Sequence, residues 1–222
     1  MTAGLWIVGV LAVLLAALYI RVNQYGAPPV KLLLKTLASL AFVCLGLLGA
    51  ARAGGAYAWL TWIGLILGAA GDVLLQFMDC RPKDREPFFR AGLGAFLIGH
   101  VFYIVAFALL GRVTGWAVLL AAVLFAALFL LQFPARMDLK GQKVPVYAYA
   151  AVISVMTAFA VLSFGAGARG ALVGLGGILF LVSDAILALI FFSPLREKSL
   201  PTWNLITYYA AQILLALSIA VG

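Results

Sequence analysis

The chain has 222 residues, of which 66% are hydrophobic and only 10% are charged, and its formal net charge is +8. Soluble domains carry about half apolar and about a quarter charged residues, so this composition excludes a soluble globular protein. The apolar residues form blocks whose length approaches that needed to cross a hydrocarbon layer roughly 30 Å thick. The lipid bilayer is therefore the solvent of this chain.

Eight apolar blocks follow one another along the chain, and each predicts a membrane-spanning helix. The blocks are continuously apolar rather than alternating, and unpaired backbone groups in lipid are strongly unfavourable, so helices are favoured over strands. We therefore expect an all-α polytopic membrane protein that forms a single transmembrane domain over residues 1–222. The predicted spans are residues 4–20, 32–50, 57–78, 91–110, 115–133, 144–163, 171–192 and 203–221.

Basic residues are unevenly divided among the connections between these spans. The connections after spans 1, 3, 5 and 7 carry 12 Lys and Arg residues when Lys35, at the start of the second span, is counted with them, whereas those after spans 2, 4 and 6 carry 3. The positive-inside rule then places the odd-numbered connections in the cytoplasm and both termini outside. This distribution explains the net charge without a nucleic-acid partner. No cleavable signal peptide is expected, because the first block is followed by Arg21 and has no basic residue before it. A bacterial inner membrane is the expected location.

Two of the seven acidic residues, Asp72 and Asp184, fall inside predicted spans, and the others fall in connections. An ionisable side chain within a span costs about 2.5 kcal/mol or more unless it is paired, and such residues usually face the bundle interior and mark function. At 1.5 Å per residue, both lie about 10 Å from the cytoplasmic interface. We therefore predict that both carboxylates share one site. A structural hydrogen bond between helices is the alternative.

Other polar residues fall in the same layer of the membrane, while the opposite half contains few groups that titrate. This one-sidedness favours a pocket open to the cytoplasm over a continuous pore. Individual members have simpler explanations, such as an interhelical hydrogen bond for the histidine, an interfacial position for tyrosines, or snorkelling for the lysine. The candidate supporting residues are Lys35, His100, Tyr103, Tyr147, Asn204, Tyr208, Tyr209 and Gln212. Two carboxyl groups in one such site would divide into an acid and a base, as hydrolysis through a cation-like state requires.

The two halves of the chain resemble each other faintly. Gly71-Asp72-Val-Leu-Leu in the third span corresponds to Ser183-Asp184-Ala-Ile-Leu in the seventh, and at the same offset His100 falls on Gln212. Four helices separate the copies, which predicts a parallel 4+4 repeat. In the third span, glycines at 64, 68 and 71 share one face and predict close helix packing.

Several short motifs occur in a recognisable order. They are Gly71-Asp72, Phe-Leu-Ile-Gly-His100-Val-Phe-Tyr103, Pro145-Val-Tyr147 with Met156, Ser183-Asp184, and Tyr208-Tyr209-Ala-Ala-Gln212. Together they resemble the YhhN/transmembrane protein 86 family, the lysoplasmalogenases, over nearly the whole chain apart from the first span. The family's Lys-Pro near the start of the second span is Lys35-Thr36 here, which weakens the assignment of Lys35 to the site.

The resemblance implies hydrolysis of the vinyl-ether bond of a lysoplasmalogen, with a lysophospholipid substrate, membrane lipids as surroundings and no cofactor. One aspartic acid would protonate the alkenyl carbon and the other would stabilise the resulting cation. The lone histidine argues against a zinc site. A small-solute or proton-coupled transporter is the main alternative, since a buried acidic pair and a repeat suit it. An intramembrane aspartyl protease fits less well, because its motifs are missing, and a non-catalytic lipid-binding protein also stays open. The oligomeric state is not predicted.

Overall fold

The computed structural model describes residues 3–111, 114–139, 141–195 and 197–221. These residues form eight α-helices and no strand, which confirms the all-α class. Short 3-10 turns at Pro82–Asp84 and Ser163–Gly165 precede the fourth and seventh helices. The helices are α1 (Ala3–Asn23), α2 (Pro28–Ala53), α3 (Gly55–Cys80), α4 (Arg85–Ala108), α5 (Gly115–Leu131), α6 (Lys143–Leu162), α7 (Gly167–Phe192) and α8 (Leu200–Ala220).

Seven helices in the described part of the chain are long and apolar enough to cross a membrane, as expected of an integral membrane protein. The exception is α5, whose 17 residues are apolar but fewer than in the other helices. Its 1.5 Å rise per residue gives a length of about 26 Å. We predicted this span to continue to residue 133, but α5 ends at Leu131 because Pro134 disfavours helical backbone just before it. The prediction of eight spans is thus confirmed for seven helices.

Glycines on one face of α3 bring this helix close to α4 and α8. A Cβ atom added at Gly64 would overlap the ring of Tyr103 on α4, and one added at Gly68 would overlap the amide of Gln212 on α8. Gly71 faces the ring of Phe96 in the same way. The predicted close packing along this face is therefore present, and it places polar side chains of α4 and α8 beside α3.

The connections after α1, α3, α5 and α7 meet at one end of the bundle, which we call the basic end. The Ser193 hydroxyl after α7 donates to the carbonyl of Ala135 after α5, at 2.6 Å. The Gln142 amide donates to Glu86 at 3.2 Å, which joins the start of α6 to the start of α4. Gln24 after α1 donates to Thr202 at the start of α8, at 3.3 Å. The tertiary structure therefore gathers the connections that carry most of the basic residues.

Candidate functional site: two buried carboxyl groups and their surroundings

Asp72 on α3 lies at the centre of a buried polar cluster. The ammonium of Lys35 on α2 is 3.3 Å from its Oδ1. The hydroxyls of Ser39 and Tyr208 donate to its Oδ2, at 2.6 and 2.7 Å. The Asp72 side chain is only 3% exposed. One cation and two hydroxyl donors are the surroundings that a buried ionised carboxylate requires.

The cluster continues from Asp72 through α8 to α4. The Gln212 amide group donates to the Tyr208 hydroxyl at 3.0 Å, and its carbonyl oxygen accepts from the Tyr103 hydroxyl at 2.9 Å. Buried polar groups are costly when they lack partners, so this chain of hydrogen bonds fixes how α3, α4 and α8 face each other. Four of the predicted residues, namely Lys35, Tyr103, Tyr208 and Gln212, therefore gather around Asp72.

The first helix also contributes to this cluster, which the sequence did not predict. The hydroxyl of Tyr19 on α1 donates to the carbonyl oxygen of the Gln76 amide at 2.7 Å, and the ring of Tyr19 lies 5.8 Å from the Lys35 ammonium. Gln76 and Ser39 were missed as well. Gln76 follows Asp72 by four positions, and Ser39 follows Lys35 by four. Residues four positions apart lie on the same face of a helix, so this spacing could have identified both.

Asp184 on α7 has fewer partners than Asp72. The Tyr149 hydroxyl on α6 donates to its Oδ2 at 2.6 Å, and the Nε2 atom of His100 on α4 is 3.8 Å from the same oxygen. His100 places Nδ1 2.6 Å from the carbonyl of Phe96, an acceptor only, so Nδ1 carries the proton and Nε2 is the free acceptor of a neutral ring. Within the described residues, His100 Nε2 and Asp184 Oδ1 have no hydrogen-bond partner.

The two carboxyl groups belong to separate clusters, contrary to the prediction that they share one site. In the described part of the chain no hydrogen bond or ion pair links the clusters. The ring of Phe180 packs against both, with centroid distances of 4.7 Å to His100 and 5.5 Å to Tyr208. The prediction relied on depth, which helical rise determines, whereas the direction in which a side chain points depends on how each helix is rotated.

Asp184 lies where two clefts meet, and its side chain is 11% exposed. The first cleft lies between α5, α6 and α7, and the second is bordered by α3, α4, α6 and α7. The space in them, about 590 and 470 Å³, includes space open to the surroundings of the bundle. Both are almost wholly apolar, and both are lined by Val146, Tyr149, Asp184 and Ala188. Asp72 lines neither cleft. The wall shared by the clefts thus exposes one carboxyl group to an apolar ligand.

Within the described residues, the remaining predicted residues make no hydrogen bond or ion pair with either carboxyl group. Tyr147 lines the first cleft and donates to Gln132 at 2.9 Å. Asn204 donates to the Ser183 carbonyl at 2.8 Å, so it joins α8 to α7 without contacting either carboxyl group. Tyr209 is buried in an aromatic group, with its ring 5.2 Å from that of Tyr208.

The tyrosine that contacts Asp184 was not predicted. Tyr149 follows Tyr147 by two positions on α6, and of these two tyrosines Tyr149 is the one whose side chain reaches the carboxyl group. The Tyr-x-Tyr spacing was the available signal, because the two side chains of such a pair point in different directions on a helix.

A family model and three mammalian proteins match the sequence of this chain. A sequence model of the YhhN family matches residues 30–219. The chain is 33% identical to the lysoplasmalogenase TMEM86B of Mus musculus over 174 residues, which are 77% of this chain and 68% of that protein. It is 34% identical to lysoplasmalogenase TMEM86B of Rattus norvegicus over 79% of this chain and 68% of that protein. The Sus scrofa protein of the same name is 31% identical over 78% and 69%. No solved structure matches the chain.

Proposed function

The chain belongs to the YhhN family, and on this premise we propose that it hydrolyses the vinyl-ether bond of lysoplasmalogens within the membrane. The products are a fatty aldehyde and glycerophosphocholine or glycerophosphoethanolamine. The names of the mammalian relatives support a lysoplasmalogen hydrolase. The chemistry is assigned here to Asp184 and its neighbours.

One observation carries the assignment: Asp184 lines two apolar clefts, whereas Asp72 is enclosed by its own partners. A substrate whose reacting bond adjoins a hydrocarbon chain needs an acid within apolar surroundings. Asp184 Oδ1 has no hydrogen-bond partner among the described residues, so it is available to a ligand. Asp184 is therefore the catalytic residue, and its proton is the one transferred.

The reaction begins when Asp184 gives its proton to the second alkenyl carbon, and the electrons of the double bond form the new C–H bond. The ether oxygen donates a lone pair, so the first alkenyl carbon becomes part of an oxocarbenium ion. Asp184 is now a carboxylate beside this cation, and apolar surroundings strengthen their attraction. Water adds to the cation and loses a proton. The hemiacetal hydroxyl then loses its proton as the bond from the same carbon to the glycerol oxygen breaks, and that proton goes to the glycerol oxygen, so the aldehyde and the alcohol are released.

Tyr149 and His100 complete the reacting group. The Tyr149 hydroxyl holds Oδ2 of Asp184, which leaves Oδ1 to face the substrate. His100 Nε2 is a buried acceptor 3.8 Å from Oδ2, with no hydrogen-bond partner in the described residues. His100 lines neither apolar cleft, so it supports the position of the carboxyl group, and the Asp184 carboxylate itself takes the proton that the attacking water loses.

Asp72 acts as a positioning residue in this mechanism. Its carboxylate holds Tyr208, whose ring packs against Phe180, which in turn packs against His100. Lys35 balances the charge of Asp72, so the cation formed at the cleft depends mainly on Asp184. This assigns different roles to two carboxyl groups that the sequence alone left equivalent.

We further propose that α5 completes eight spans, with the basic end in the cytoplasm and both termini outside, as in a bacterial inner membrane. The packing supports the proposed 4+4 repeat. Asp72 is contacted from α2 and α8, and Asp184 from α6 and α4. Exchanging the two halves turns the first arrangement into the second. Labelling of single cysteines at the two ends of the bundle by an impermeant reagent tests the orientation.

The first experiment is aldehyde release from alkenyl-lysophosphatidylcholine and alkenyl-lysophosphatidylethanolamine by detergent-purified protein. We expect Asp184→Asn to lower kcat/KM by about 10²–10⁴-fold, the usual contribution of a general acid. The surface variant Glu197→Gln removes one negative charge from an exposed position and serves as the control. Folded wild-type protein that releases no aldehyde would refute the hydrolase and favour a transporter. An active Asp184→Asn would refute the assigned acid.

A further inference from the structure

A third cleft lies at the basic end, adjoins the second cleft and differs in chemistry from the other two. Its empty volume is about 710 Å³. It shares Phe89, Phe191 and Phe192 with the second cleft, so the two are adjoining. The residues that it adds are Met78, Arg85, Glu86 and Gln142. A path from Asp184 thus ends among charged and polar side chains.

We propose that these clefts fix the orientation of a bound zwitterionic single-chain lysophospholipid. The hydrocarbon chain occupies the first cleft, and the phosphate and ammonium groups meet Arg85 and Glu86 in the third. The reacting bond then lies at the wall that the first two clefts share. The choice of substrate class rests on the proposed function. The orientation itself is inferred from charged residues and clefts, so binding alone can test it without turnover.

The charged side chains suit both ends of such a headgroup. Arg85 makes no ion pair with any described residue, and a guanidinium binds phosphate oxygens with two parallel hydrogen bonds. Glu86 forms an ion pair with Arg90 at 2.6 Å, but both side chains are more than 60% exposed. Such an exposed pair is weak, so Glu86 remains able to bind an ammonium group. The rings of Phe89 and Phe191, 5.0 Å apart, offer aromatic faces to the same cation.

The distance along the bundle agrees with this placement. Phe192 follows Asp184 by eight positions on α7, which corresponds to about 12 Å of helix. This is comparable with the extended length of a glycerophosphocholine from its ether oxygen to its nitrogen. A headgroup in the third cleft therefore leaves the vinyl ether beside Asp184.

The reverse orientation is chemically unfavourable. Among the described residues, Asp184 is the one charged side chain that lines the first cleft, and its walls include Phe125, Leu128 and Ile153. The NH2 group of Gln132 in this cleft already donates to the carbonyl of Phe129. A phosphate placed there would lose its hydration without gaining a cation, which is strongly unfavourable. The same apolar walls suit a hydrocarbon chain.

Photolabelling tests the orientation without requiring catalysis. The probes are saturated 1-O-alkyl lysophosphatidylcholines, which lack the vinyl bond, with a diazirine at the chain end or beside the headgroup nitrogen. Full-length protein in nanodiscs is labelled and mapped by mass spectrometry. We expect the chain-end probe to label the α5 and α6 walls and the headgroup probe to label residues 85–93 and 189–192. Exchanged labelling, or labelling spread over lipid-facing helices without competition by unlabelled lipid, would overturn the proposal.

Variants at the two ends provide a second, separate readout. Leu128→Trp shortens the first cleft, so it should shift binding toward lipids with shorter hydrocarbon chains. The matched control is Leu119→Trp, on the same helix at a position that is 53% exposed. Arg85→Gln should weaken binding of the alkyl analogue about tenfold or more, with no change in chain-length preference. An unchanged affinity in Arg85→Gln would overturn the headgroup assignment. Because the analogue is not hydrolysed, a failure of the hydrolase proposal appears in the aldehyde assay alone.

Discussion

Replacing Asp72 by asparagine should destabilise the protein far more than an ordinary polar substitution. The change removes the negative charge that faces Lys35, whose side chain is only 10% exposed, while preserving the shape of the carboxyl group. Removing one partner of a buried ion pair costs about 3–5 kcal/mol, because the remaining charge is left in a medium that solvates it poorly. The asparagine oxygen still accepts from Ser39 or Tyr208, so we expect about 3 kcal/mol.

A double variant separates the stranded charge from other effects of the substitution. Lys35→Met keeps most of the side-chain volume and removes the ammonium, so Lys35→Met together with Asp72→Asn should recover stability to within about 1 kcal/mol of the wild type. The coupling energy between the two positions should therefore exceed about 2 kcal/mol. Lys31→Met, one turn earlier on α2 and partly exposed, removes the same charge and should change stability by less than about 0.5 kcal/mol.

The measurement is reversible unfolding in mixed micelles of mild detergent and dodecyl sulfate, followed by circular dichroism. Each variant is compared by its free energy of unfolding under identical micelle composition. If Asp72→Asn lies within about 1 kcal/mol of the wild type, the pair is not the buried, mutually dependent contact described above. Losses that simply add in the double variant would refute the reasoning in the same way.

Three further outcomes follow from the site and its packing. Tyr149→Phe deletes the hydroxyl that holds Asp184, so kcat for aldehyde release should fall about tenfold while the unfolding free energy changes by roughly 1 kcal/mol; unchanged kcat would contradict the role of this hydroxyl. Asp184→Asn should keep the unfolding free energy within about 1 kcal/mol of the wild type, because the substitution leaves no cation unpaired. This is the opposite of the result expected for Asp72→Asn, and the same unfolding assay measures it. Gly68→Ala should lower the unfolding free energy by about 1–3 kcal/mol, because the new methyl group overlaps a side-chain amide on α8. The control is Gly94→Ala, whose methyl group meets nothing within 4 Å and should be neutral or stabilising. Equal effects of the two substitutions would contradict the packing described for Gly68.

The fold class and the two acidic residues of the candidate site could be found in the sequence because lipid imposes strong constraints on sequence. Continuous apolar blocks can satisfy their backbone groups in lipid only as helices, and two acidic residues in such blocks are conspicuous. The end of α5 was predicted two residues late, because hydropathy does not register the backbone restriction imposed by Pro134. Tyr19 was also missed, because a tyrosine near the end of a span is usually an interfacial residue.

The sequence by itself determined the helical class and the family resemblance, and it predicted the depth of each polar group. Helical rise converts residue number into depth, which predicts one layer for Asp72 and Asp184. Only the tertiary structure decided that they face different neighbours. The rotation of each helix is set by contacts between distant parts of the chain, such as Gly68 against Gln212, and by the hydrogen bonds that buried groups require. Depth is a local property of one helix, whereas a site is formed by several helices together.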